Sequence, residues 1–127
     1  MAAKEITPTA SKVPTDLAGT WNLPGKIFLD TAFGRMVVTG SILFENGKST
    51  TITNCKLPNQ TIIAKASVPA TYGVGRVSHE AENSNVVVEG SIVCEVSVEP
   101  GELKYEVRGN SLILTDLETG ETISATR

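Results

Sequence analysis

One histidine, two cysteines, two tyrosines and one tryptophan are the side chains in this 127-residue sequence with most chemistry to offer. His79-Glu80-x-Glu82 places an imidazole and two carboxylates in one short stretch. A zinc hydrolase needs two imidazoles one helical turn apart, and a second histidine does not exist here. The stretch therefore reads as a solvated acidic loop. A Ser/His/Asp triad would have to be built on this same histidine, in a polar loop. Gly73-x-Gly75 is too short for a dinucleotide fingerprint and is followed by strand-like residues, not a helix. No catalytic residue, metal site or cofactor is assigned on these grounds. Tyr72 and Tyr105 remain as hydroxyls that could donate to a ligand carbonyl, or as amphipathic residues at the ends of a barrel.

Cys55 and Cys94 could form one bridge in an oxidising compartment. Residues 1–12 lack the apolar stretch of a secretory signal, so the expectation is a cytoplasmic protein with two reduced thiols. It becomes a secreted one if a leader has been removed. Net charge is −3 and the isoelectric point about 5.1, which leaves no basic field for a nucleic acid. No run approaches the ~18 apolar residues of a membrane helix, and no membrane partner is expected. The expected partner is a small apolar molecule, with a homo-oligomer left open.

The elements that must position these residues are strands. Val, Ile and Thr make up 37 of the 127 residues, a β-branched excess that suits a pleated surface and disfavours helices. Residues 1–16, broken by Pro8 and Pro14 and without apolar period, read as an extended or disordered arm. Residues 17–127 read as a single β-barrel domain. Leu17 to Trp21 enters the core, and Pro24-Gly25 stops it. Lys26 to Phe33 is a strand or one turn of helix. Arg35 to Glu45 alternates with period two, and Asn46-Gly47 is a strong hairpin signal. Strands follow over 49–56 and 61–68, closed by Pro69, and then over 71–78. The longest alternation is Val86 to Val98, with Gly90 read as a bend within one long strand. Gly109-Asn110 and Thr119-Gly120 punctuate the end. Eight or nine strands separated by short turns fit an antiparallel up-and-down barrel or a sandwich. The barrel is preferred because closure removes exposed edges.

Gly19-x-Trp21 inside the first strand, with Arg127 after the last, resembles the calycin superfamily of lipocalins and their relatives. The resemblance implies a barrel in which the Trp packs across one closed end beneath a basic side chain. Gly19, Trp21 and Arg127 are then structural. A single Trp cannot build the multi-Trp cage of avidin-type barrels, and the Thr-Asp-Tyr loop of lipocalins is missing. An aliphatic interior suits one small apolar ligand, with Met36, Phe44, Val88, Ile92, Val96, Tyr72 and Tyr105 as its expected contacts. The alternative is a cofactor-independent cyclase or isomerase, such as one closing a polyene, which would hold a reactive conformer in the same space. Whether the interior is hollow or filled is not written in the periodicity.

Overall fold

A computed structural model describes residues 10–31, 34–88, 91–98 and 100–127, with the backbone alone at 83–88, 91–93 and 97. Eleven strands run in chain order. They are β1 (Gly19–Asn22), β2 (Ile27–Thr31), β3 (Gly34–Glu45), β4 (Lys48–Leu57), β5 (Gln60–Gly73) and β6 (Arg76–His79). They continue with β7 (Glu82–Val88), β8 (Ser91–Val98), β9 (Gly101–Arg108), β10 (Ser111–Asp116) and β11 (Thr122–Thr126). Among the described residues there is no helix.

Eight strands close a barrel in the order β1-β11-β10-β9-β6-β5-β4-β3, with β3 pairing back onto β1. Closure gives each of these strands a neighbour on both sides, which is why short segments such as β1 and β6 can persist. β2 is a ninth strand added to β3 outside the closed ring. It follows β1 along the same edge of β3: Asn22 pairs with Ser41, Leu23 N–H reaches Gly40 O at 2.9 Å, and Ile27 pairs with Val38. Pro24 and Gly25, the latter at φ +86°, make the jog between them.

The antiparallel order places the turns at Asn46-Gly47, Val74-Gly75 and Gly109-Asn110 at one end, together with Gly19 and Arg127. That end is plugged. Trp21 and Leu17 are fully buried there with Phe44, Tyr72, Val77, Leu112 and Leu114. The buried indole needs one acceptor, and Nε1 donates to Leu17 O at 2.8 Å.

The N-terminal stretch takes part in this plug, although its sequence offers no apolar period. Ala10 and Tyr72 exchange two backbone hydrogen bonds of 3.1 and 2.7 Å. Val13 N–H donates to Asn46 Oδ1 at 2.9 Å, and the Val13 side chain is buried. A single apolar residue suffices because a turn at Pro14, which accepts from Leu17 and Ala18 N–H, folds the stretch over the barrel end.

At the other end β3, β4 and β5 extend beyond their neighbours. The β7–β8 hairpin, inserted between β6 and β9, packs against β4 and β5 there. Cys55 and Ile62 are register partners on the inner face, and Cys94 meets Cys55 in a disulfide. A second apolar cluster forms around it from Met36, Leu57, Ile62, Ala64, Ala66 and Val96. Val77↔Leu103 and the Arg76 Nη1–Glu102 Oε2 contact of 3.1 Å join β6 to β9 across the insertion.

Three sequence expectations are corrected. The thiols expected to be reduced are bonded to each other. Their Cα atoms stand 5.9 Å apart, a bridging distance that only the folding of β8 onto β4 creates. The alternation over 86–98 belongs to two strands, not one bent strand: Val88 pairs with Ser91 and Val87 with Ile92. A register irregularity between Val86 and Val87 then pairs Val86 with Cys94, which keeps even positions together and makes a hairpin look like one strand. Glu89 and Gly90, between the two strands, lie outside the described residues. Pro69 does not close a strand, since β5 runs through it. Its carbonyl accepts from Glu80 N–H at 3.3 Å, just past the end of β6, so its missing N–H falls at the margin of the ladder.

Candidate functional site

An apolar hollow, called the side opening below, lies where the chain leaves β1 and rejoins β3 as β2, outside the closed ring. Leu23, Pro24, Gly25, Lys26 and Ile27 form one wall, and Val38, Thr39, Gly40 and Thr53 the other, around about 320 Å³. The surface is mainly apolar, with the Thr53 hydroxyl as a polar point and Lys26 at the rim. Gly40 shapes the opening. A Cβ there would stand 3.0 Å from Leu23 Cδ1, so a side chain would push Leu23 out of the wall. By register, Gly40 faces Thr53 and Thr53 faces Ala64, while Ile42 faces Thr51 and Thr51 faces Ala66. On the inner face next to the hollow stand Gly40 and Thr53, while Ala64 and Ala66 beyond them are buried in the cluster around the disulfide and Ile42 packs against the Trp21 plug.

Two further hollows lie on the surface. One, of about 370 Å³, is lined by Ala10, Lys12, Pro14, Tyr72, Gly73, Val74 and Tyr105. Burial, together with the Asp16 carboxylate, raises the Tyr105 hydroxyl above its ordinary range. The other hollow holds the single histidine with Ser11, Pro69, Thr71 and Glu80. There His79 Nδ1 lies 3.3 Å from Glu80 O, an exposed contact that orients the ring toward backbone rather than toward a nucleophile. Among the described residues no group of three His, Cys, Asp or Glu side chains comes together.

The residues expected to contact a ligand are distributed rather than gathered. Phe44 and Tyr72 meet edge to face in the plug, ring centroids 6.5 Å apart. The Tyr72 hydroxyl lies 3.0 Å from Glu45 O and 2.9 Å from Lys48 O, where it ties the β3–β4 turn to β5. Burial pushes its pKa up to about 12. Met36 and Val96 are buried together in the cluster around the disulfide. Tyr105 faces the surface hollow beside Lys12. The side chains of Val88 and Ile92 lie outside the described residues. Trp21 and Arg127 do come together, with the guanidinium over the ring.

The residues of the side opening were the ones sequence reasoning missed as a group. Pro24-Gly25 was legible as a break. What it leaves is a hollow against β3, because the chain returns to the same neighbour, β3, on either side of it. Comparison with protein families, with curated proteins and with solved structures finds no match to the chain.

Proposed function

We propose that this protein is a lipocalin-like, calycin-type barrel that binds one small apolar molecule at the side opening between β1 and β2. The observation that carries the reading is the hollow itself: about 320 Å³ of mainly apolar wall, with Gly40 and Thr53, register partners on β3 and β4, among its lining residues. That volume lies near the lower end of the range typical of small-molecule sites. Support for the calycin assignment comes from Gly19-x-Trp21 in β1, the basic side chain stacked on that Trp, and the closed order of eight strands. Binding here is driven by removal of apolar surface from water, with the Thr53 hydroxyl available to orient a polar end. The disulfide favours an oxidising compartment, and hence the secreted alternative over the cytoplasmic one.

The test is a titration with a neutral, environment-sensitive naphthylamine probe, using the parent and Val38→Trp. Val38 is half-buried in the opening, so an indole there would occupy the space. The parent should bind with a blue-shifted emission and the variant should lose most of that binding while melting as one cooperative unit. Equal binding by both, or none by the parent, would place the function elsewhere.

A further inference from the structure

We propose that β2 is a dimerisation edge, and that its partner is β2 of a second copy of this chain, paired antiparallel about Phe28. Among the described residues β2 pairs only with β3, and over 27–30 no other described strand pairs with its second edge. The strand is also apolar on both faces. Ile27, Phe28 and Leu29 are 60%, 54% and 46% exposed. Edge strands are usually protected by a central charge, a proline or a bulge; β2 has neither a proline nor a bulge, and its one charge is Asp30, with Lys26 just before the strand.

The sequence of the edge identifies the occupant. Lys26-Ile27-Phe28-Leu29-Asp30 is self-complementary when read in opposite directions. With Phe28 on a two-fold axis, Lys26 meets Asp30 of the second copy at both ends, Ile27 meets Leu29 twice on the inner face, and Phe28 meets Phe28 on the outer face. A strand of unrelated sequence has no reason to match this arrangement, whereas a two-fold interface requires it. The register centred on Leu29 instead sets Phe28 against Asp30, an aromatic ring against a carboxylate. Among the described residues neither Lys26 nor Asp30 has a salt-bridge partner within the chain, so both charges are available. Arg35 lies over Phe28, 4.9 Å from the ring centroid, and holds the ring on the outer face where the axis would pass. One short strand pair buries less than a standard interface, so the dimer is weak and reversible.

Sedimentation over a concentration series decides the matter, with the parent, Lys26→Asp, Asp30→Lys and the double swap. The parent should dimerise reversibly. Each single swap sets like charges opposite each other at two places and should weaken the dimer about tenfold. The double swap should return it to the parent's affinity, an outcome that no general effect of surface charge produces. Phe28→Lys should leave a monomer that still melts as one cooperative unit, slightly below the parent because the Arg35 contact is lost. A parent that stays monomeric throughout, a dimer indifferent to the single swaps, or a double swap as weak as the singles would overturn the assignment.

Discussion

Arg127 lies over Trp21, its guanidinium carbon 4.3 Å from the ring centroid, while Nη1 donates to Asp16 O at 3.1 Å and Nη2 to Gly109 O at 3.3 Å. One side chain at the end of the sequence thus binds the N-terminal turn, the β9–β10 turn and the indole that plugs the barrel. Cation–π attraction of this kind contributes about 1 kcal/mol. Arg127→Ala should lower stability by roughly 1–2 kcal/mol in a denaturant melt, counting the lost hydrogen bonds. Because Trp21 is the single Trp, its fluorescence should also become easier to quench in the native state.

The Tyr72 hydroxyl sets an alkaline limit. Burial first, and then the nearby Glu45 carboxylate, raise its pKa from 10.0 to about 12. The folded state therefore keeps a proton that the unfolded chain releases above pH 10. Its contribution to stability is complete below that pH and is lost as pH rises toward 12. Tyr72→Phe should remove this part of the alkaline slope, at a cost of about 1 kcal/mol at neutral pH for the missing hydrogen bond. Melts across this range, alongside phenolate absorbance, provide the check.

Removing residues 1–13 deletes the Ala10–Tyr72 exchange, the bond to Asn46 and the buried Val13 side chain. Loss of a buried valine alone is worth about 1.5–3 kcal/mol. The truncated protein should melt several degrees lower, and Val13→Asp in the full chain should reproduce most of the fall. A truncation that leaves the melt unchanged would mean that the docked stretch contributes nothing to the plug.

The Cys55–Cys94 bond closes a loop of sequence separation 39 that runs from β4 through β5, β6 and β7 into β8. Chain-entropy arithmetic for a loop of that length gives about 4 kcal/mol of stabilisation. Reduction, or replacement of both residues by Ser, should lower the denaturant midpoint accordingly. Thiol titration of the unfolded, unreduced protein should find no free thiol.

The sequence alone determined the local grammar. β-branched runs of period two, Asn46-Gly47 and Gly109-Asn110 specified strands and two-residue turns, because backbone conformation there depends on neighbours a few residues away. Trp21 beside Gly19 was legible as a plug for the same kind of reason: a large, solitary indole must be buried somewhere. Periodicity also misled where two local signals imitate each other, and the register irregularity at Val86/Val87 disguised a hairpin as one strand. Only tertiary structure decided which surfaces meet. Folding of β7–β8 onto β4 and β5 brought Cys94 to Cys55, barrel closure brought Arg127 to Trp21, and the return of β2 to β3 left the side opening and the free edge. These contacts join residues far apart in the chain, and their register is set by how whole faces pack, a quantity that no short window of sequence contains.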